Sequence, residues 1–255
     1  MSGQSENQAP AVLRSDDLAN RIHSVSEEEL LEVASSTGLT EELARALFQR
    51  RDLSAAVLTK IAENHTALKL RAVIIGLVSH PKTPHHISIP LTRHLFTFEL
   101  MQVAMQPGVP ADLKMKIEDS LINRISTISA GERIAIAKRG STRIAAALLT
   151  ATDPRILESA LNNPYMTEAC IGKALVSHDS IPLLFEFTWR HPKWSSRVEV
   201  RQAMLRAAKV PPHIAAEIVK TMSPVQAKNA LAGSQMSAAL KAKLLEEIIE
   251  RTKGR

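Results

Sequence analysis

Short helix-stopping sequences recur along most of this chain, and they limit what it can fold into. The tripeptide His-Pro-Lys occurs at positions 80–82 and again at 191–193. Each break places a polar or basic residue at a helix end, then Pro or Gly, then a residue suited to starting the next helix. The chain is therefore divided into many short helices. Successive breaks are 26, 33, 24 and 28 residues apart, at Pro81, Pro107, Gly140, Pro164 and Pro192.

Further breaks fall midway between these marks, at residues 150–154 and 177–180. Each step therefore holds two short helices, a unit that cannot bury its apolar face without stacking on its neighbours. Hydrophobic residues make up 45% of the chain but aromatic residues only 3%, which favours close helix packing over a β-sandwich. The pattern predicts an all-α fold, a right-handed α-solenoid of degenerate helix-pair repeats.

The same patterns predict how the chain is divided. Residues 1–22 are polar and lack periodicity, so we expect a disordered N-terminal tail. We expect a single α-solenoid domain over residues 23–252. Its repeat core covers about residues 53–233, and a C-terminal capping helix covers about residues 235–251. Ser26 and Glu29 have the spacing of a capping box at the start of the first helix.

The segment from Gly131 to Leu175 carries a family resemblance. It contains the spacing G-E-x-I-x-x-A-x-R-G, then D-P, then N-P-x-x-T. This resembles bacterial α-solenoids of the HEAT-like and leucine-rich-repeat-variant kinds, and more narrowly a family of uncharacterised bacterial proteins. The resemblance covers about residues 53–233 and implies the fold but no activity. Leucine-rich-repeat-variant proteins can carry an iron–sulfur cluster on an N-terminal cysteine group. This chain has only Cys170, so we expect no cofactor.

Charge is unevenly distributed along the chain. Residues 1–50 have a net charge of −5, whereas residues 51–255 have a net charge of +11. A basic body suits an anionic partner such as nucleic acid, a membrane surface or an acidic protein. The alternative is that scattered basic side chains cap helix ends and maintain solubility. No run of 18 apolar residues and no secretory signal is present, so we expect a cytoplasmic protein without a membrane span.

Residues that could support catalysis or metal binding have unsuitable spacing. His80, His85 and His86 form the densest histidine group, but adjacent residues at a helix start point in different directions. Cys170 lies between apolar neighbours and is predicted to be a small core residue. No phosphate-binding loop, nucleophile elbow or zinc-protease motif occurs. The sequence therefore predicts no enzyme, no catalytic residues and no metal.

Aromatic residues cluster in the stretch FEFTWRHPKW, which begins at residue 185. Trp189 and Trp194 alternate there with Arg190 and Lys193, a combination that can anchor a partner or stack on a base. The alternative is that Phe185 and Trp189, one helical turn apart, belong to the core. We predict these four residues as partner-binding.

A second candidate patch lies in the stretch KRGSTR, where one helix ends and another begins. Lys138, Arg139 and Arg143 stand there beside a new helix N-terminus, which can bind an anion. Arg155 is expected to join them from the following turn. Ordinary helix capping explains the same residues, so both interpretations remain open.

Two functional hypotheses follow. The first is a non-catalytic scaffold that binds another protein on the concave surface of a solenoid. The alternative is a nucleic-acid-binding protein with a basic groove. The HEAT-like resemblance extends this alternative to DNA glycosylases, with Glu186 or Asp179 near Trp189 as the nominal carboxylate.

Overall fold

The computed structural model describes residues 15–253, and every regular element in this range is a helix. The predicted all-α class is confirmed. The helices are short because Pro, Gly or a polar cap follows almost every second or third turn. The chain divides into two compact units, up to Asn123 and from Arg124 onward, where the sequence predicted a single domain.

The first unit contains eight α-helices within its described part, together with single turns of 3-10 helix at Ala67–Lys69 and Thr92–His94. The α-helices are α1 (Ser15–Arg21), α2 (Glu27–Ser35), α3 (Glu41–Gln49), α4 (Ala55–Glu63), α5 (Arg71–Ser79), α6 (His85–Leu91), α7 (Thr97–Met105) and α8 (Ala111–Arg124), whose last residue opens the second unit.

The second unit contains ten further α-helices in its described part and one 3-10 turn at Leu148–Thr150. They are α9 (Ala130–Arg139), α10 (Thr142–Ala147), α11 (Pro154–Leu161), α12 (Glu168–Val176), α13 (Pro182–Arg190), α14 (Pro192–Ser195), α15 (Val198–Arg206), α16 (Pro212–Thr221), α17 (Pro224–Ala232) and α18 (Ala238–Lys253). Helix α18 lies where the C-terminal capping helix was predicted.

The N-terminal end of the described chain differs from the prediction. Helix α1 occupies residues that were expected to be disordered, because Leu18 and Ile22 are buried in the core of the first unit. The prediction is wrong for residues 15–22, and residues 1–14 lie outside the described part. The expected capping box is also wrong, since the Ser26 side chain makes no capping hydrogen bond at the start of α2.

Within each unit, most helices pack against the helix two or three places earlier in the chain. In the first unit α4 packs on α2, and α3, α5 and α7 form a row. In the second unit one row contains α9, α11, α13, α16 and α18, and the other contains α10, α12, α15 and α17. Aliphatic side chains such as Leu58, Leu77, Leu157 and Ile171 are fully buried. Each helix therefore buries its apolar face against neighbours that are close in sequence.

Two asparagines tie consecutive pairs of helices together. Asn64 donates from Nδ2 to the carbonyl oxygens of Ala34 and Ser36, both at 2.9 Å. Asn163 donates in the same way to Ala137 and Gly140, at 2.8 and 3.0 Å. Each also accepts, through Oδ1, the backbone N–H two residues further on. We call this arrangement a carbonyl latch, because it satisfies carbonyl groups that a helix leaves unpaired at its end.

The two His-Pro-Lys histidines occupy similar positions. Nε2 of His80 lies 3.0 Å from the carbonyl oxygen of Arg50, and Nδ1 accepts the backbone N–H of Lys82 at 3.2 Å. His191 likewise accepts the N–H of Lys193 at 3.2 Å, and its Nε2 lies 3.1 Å from Oδ1 of Asn162. An imidazole that donates from Nε2 and accepts at Nδ1 reproduces the donor and acceptor of an asparagine amide. His80 therefore completes a carbonyl latch, whereas His191 contacts the side-chain amide oxygen of Asn162.

We expect the latch at His80 to make the first unit sensitive to acid. His80 is buried, and burial holds its pKa below the ordinary value of 6.5. As the pH falls, His80 therefore takes up a proton in the unfolded chain before it does so in the folded chain. The latch contributes its full stability above pH 6.5, and this contribution falls as the pH drops from 6.5 to the lower pKa of the folded state. We expect the urea concentration at the unfolding midpoint, measured by circular dichroism, to be lower at pH 5.5 than at pH 7.5.

A matched variant isolates this effect. His80→Asn keeps a donor and an acceptor in place but cannot be protonated in this range, so its urea midpoint is expected to change less with pH. The carboxylate of Asp52 stays ionised throughout, because its hydrogen bond to Arg50 lowers its pKa to about 2. An equal pH dependence in both proteins would contradict the assignment.

Candidate functional site

The predicted aromatic site is largely internal. The Trp194 side chain is 1% exposed, and its Nε1 donates to the carbonyl oxygen of Leu161 at 2.8 Å. Lys193 lies over the face of the indole, with Nζ 4.0 Å from the ring centroid. The prediction of Trp194 as a partner-binding residue is corrected, because a buried indole with its N–H satisfied is a core residue.

Trp189 and Arg190 are also engaged within the protein. Trp189 is half-buried, and its Nε1 donates to Oε2 of Glu217 at 2.6 Å, which joins α13 to α16. Arg190 is exposed and pairs with Glu186 at 3.3 Å. Glu186 is also 2.9 Å from His213. The carboxylate named for base chemistry is therefore already held by the Arg190 guanidinium and the His213 imidazole.

The structure divides the predicted basic patch. Lys138 and Arg139 are exposed at the C-terminal end of α9, and Arg143 is exposed in the first turn of α10. Arg155 stands at the N-terminal end of α11, where it donates to both oxygens of Asp153. The Arg155 guanidinium lowers the pKa of that carboxyl.

The direction of the helices explains the division. The positive charge of Arg133, in the first turn of α9, acts on Asp153 at the start of α11. At the other end, Asn163 latches α11 to the last turn of α9. The two helices are therefore parallel, and Arg155 lies at the opposite end of the row from Lys138 and Arg139. The expectation that Arg155 joins the patch is wrong.

A groove of about 780 Å³ lies between α12 and α15 of the second unit. Its floor is formed by small side chains, which are Ala169, Gly172, Val176 and Ala203. A Cβ atom at Gly172 would lie 3.5 Å from the Cβ atom of Ala203, so the two helices approach closely there. Close helix approach leaves a shallow apolar surface that suits an inserted side chain or helix.

Charged residues stand at the two ends of this groove, which we call the α12–α15 groove. Glu168 and Glu199 lie near the N-terminal ends of the two helices, and Lys173 and Arg206 lie toward their C-terminal ends. Glu168 pairs with Arg197 at 3.4 Å. In the described part of the chain the side chains of Glu199, Lys173 and Arg206 have no ionic partner. The groove is thus acidic at one end and basic at the other.

The α12–α15 groove was not predicted from the sequence. Ala169, Lys173 and Val176 have the spacing of one helix face, and so do Glu199, Ala203 and Arg206 in α15. Each set mixes small and charged residues, and that composition is typical of an ordinary solvated face. Only the packing of α12 beside α15 makes the two sets into one surface.

The described residues contain no group of three His, Cys, Asp or Glu side chains arranged to hold a metal ion. Within the same range, no helix combines the length and the apolar character needed to cross a lipid bilayer. No family model, curated protein or solved structure matches this chain.

Proposed function

We propose that this protein is an α-solenoid of degenerate helix-pair repeats that works as a non-catalytic scaffold. In this proposal the row containing α12 and α15 forms the concave surface, and a segment of a partner protein binds in the α12–α15 groove. The helix packing and the carbonyl latches are the observations that support a solenoid. The latches repeatedly join residues 23–30 positions apart in sequence.

The groove supports a particular kind of partner segment. An amphipathic helix fits such a groove through small or aliphatic side chains on one face. Glu199 and Arg206 are seven residues apart on α15, which corresponds to about 10 Å along a helix. The partner segment should therefore carry a basic side chain near Glu199 and an acidic side chain near Arg206, about two helical turns apart. Charge complementarity of this kind fixes the register of binding.

The same observation favours protein over nucleic acid. A phosphate backbone carries negative charge along its whole length, so Glu168 and Glu199 would repel it at one end of the groove. The tryptophans that a base-stacking site requires are buried or hydrogen-bonded within the second unit. The nucleic-acid hypothesis remains an outcome of the test.

The test is a comparison of two double variants that change the net charge equally. Lys173→Glu with Arg206→Glu reverses the basic end of the groove. Lys69→Glu with Lys116→Glu alters exposed residues outside it. We expect the groove variant to weaken partner binding by about tenfold or more. We expect the control variant to bind like the natural protein.

The measurement has two steps. Partners are captured on the immobilised full chain after nuclease treatment and quantified by mass spectrometry. The leading candidate is then purified and titrated by isothermal calorimetry. Ala169→Arg, a bulky change at an exposed floor position, should block the groove without unfolding the chain. Binding that is indifferent to both groove variants, or that disappears with nuclease, would overturn the proposal.

A further inference from the structure

A second groove, of about 670 Å³, lies across the row of α3, α5 and α7 in the first unit. Its floor includes Ala72, Ile75 and Gly76 of α5, together with Phe48 of α3. A Cβ atom at Gly76 would overlap the Phe48 ring, so the ring rests directly on the backbone of α5. The aromatic face is thus used in packing and is not offered to a ligand.

The walls of this groove, which we call the α3–α7 groove, are cationic and amide-rich. Its described lining contains two guanidinium groups and three side-chain amides but no carboxylate. The guanidinium groups belong to Arg45 and Arg51. The amides belong to Gln49, Gln102 and Gln106. A ligand that complements this lining must carry negative charge and both donors and acceptors of hydrogen bonds.

The positive charge in the groove is only weakly compensated. The nearest carboxylate to Arg45 is that of Glu41, at 3.7 Å. Both Glu41 oxygens already accept backbone N–H groups at the start of α5, from Arg71 and Ala72 at 2.6 and 3.0 Å. The Arg45 side chain is 70% exposed. Arg51 is exposed and has no ionic partner among the described residues.

One buried polar atom also lacks a partner. Oγ of Ser79, a residue lining the groove, makes no hydrogen bond within the described part of the chain. This hydroxyl has almost no accessible surface, so a ligand in the groove does not reach it and the charged and amide side chains carry the recognition. His80, beside it, uses both ring nitrogens in its latch and is not available.

The dimensions and the chemistry together indicate a peptide. Three helices packed about 8–10 Å apart span roughly 16–20 Å. An extended chain rising about 3.3 Å per residue covers that distance with five or six residues. Glutamine amides pair with the N–H and C=O groups of such a chain, and guanidinium groups pair with its carboxylates.

We propose that the α3–α7 groove binds an extended, acidic segment of a partner protein, with carboxylates held by Arg45 and Arg51 and the peptide backbone held by the glutamines. This site lies in the first unit and is independent of the α12–α15 groove proposed above. Either site can fail its test without affecting the other.

The experiment uses the full chain and a fluorescein-labelled peptide of six residues in which glutamate alternates with glycine. Alternation places all three carboxylates on one face of an extended peptide. The matched control peptide has glutamine in place of glutamate. Binding is followed by fluorescence anisotropy at low and physiological salt. We expect the glutamate peptide to bind at least tenfold more tightly than the glutamine peptide, and its affinity to fall with salt.

Two double variants locate the site. Arg45→Gln with Arg51→Gln is expected to weaken the glutamate peptide at least tenfold. Lys69→Gln with Lys116→Gln removes the same charge from exposed positions outside the groove and should change affinity less than twofold. Amide chemical shifts of the natural protein should change mainly in α3, α5 and α7. Equal loss in both variants, shifts elsewhere, or tighter binding of a single-stranded oligonucleotide at this groove would overturn the proposal.

Discussion

Replacement of Trp194 by alanine is expected to lower the free energy of unfolding by about 3–5 kcal/mol. The indole is among the largest fully buried side chains of the described structure, and its removal leaves a cavity that the surrounding helices cannot fill completely. It also removes the hydrogen bond from Nε1 to the carbonyl oxygen of Leu161, which joins α14 to the end of α11. Urea unfolding measures the loss.

A phenylalanine at this position separates the two contributions. Trp194→Phe keeps most of the ring but loses the N–H donor, so we expect a smaller cost of about 1–3 kcal/mol. Trp189, which also lies in the second unit, still reports unfolding by its fluorescence. If Trp194→Phe left stability unchanged but abolished partner capture, the assignment of Trp194 to the core would be wrong and the sequence-based prediction right.

Asn163→Ala is expected to destabilise the second unit by about 2–4 kcal/mol, because it leaves two buried carbonyl oxygens without their donor. Asn163 is 1% exposed, and its amide is shared between Ala137 and Gly140. The same side chain accepts the N–H of Tyr165, so the turn into α12 also loses a contact. Tryptophan fluorescence during urea unfolding reports the second unit, which contains both tryptophans.

The neighbouring residue provides the control. Asn162→Ala removes an exposed amide that bonds to Glu158 of its own helix and to the ring of His191. We expect a cost below about 1 kcal/mol, since water replaces these contacts at the surface. Similar losses for Asn162→Ala and Asn163→Ala would show that the latch contributes no more than an ordinary helix cap.

The breaks between helices could be predicted from local chemistry. Pro, Gly and the polar caps act within a few residues of themselves, so they mark most helix ends in any tertiary context. The N-cap at Thr40, which accepts the N–H of Leu43, is one example. The recurrence of His-Pro-Lys likewise indicated a repeated structural unit. The role of His80 became visible only in the structure, where its ring contacts the carbonyl oxygen of Arg50, 30 residues earlier.

Other boundaries depended on distant residues. The segment from Ala67 to Ser79 reads as one continuous helix, but it is divided at Leu70 into a 3-10 turn and α5. Glu41 of α3 accepts the first N–H groups of α5 and so fixes where that helix begins. No pattern within the segment carries this information, because the capping group is supplied from 30 residues away.

The candidate sites depended even more on tertiary structure. Trp189 and Trp194 were predicted to bind a partner because aromatic residues are scarce in this chain. In the structure Trp194 is buried, and Trp189 donates a hydrogen bond to Glu217. Phe96 and Phe98, in contrast, are 67% and 46% exposed at the start of α7. Phe96 occupies the N-cap position of α7, where Ser, Thr, Asp or Asn is usual. This unusual residue was the sign in the sequence that an aromatic side chain is exposed there.

By itself, the sequence determined the all-α class, the short helices and most of their ends, because these follow from backbone geometry and from groups within one helical turn. Tertiary structure alone decided which side chains form a surface. The α12–α15 groove, the α3–α7 groove and the separation of Arg155 from Lys138 all arise from helices packed side by side in a fixed direction. Residues about 30 positions apart become neighbours there, and no local pattern encodes which of their faces meet.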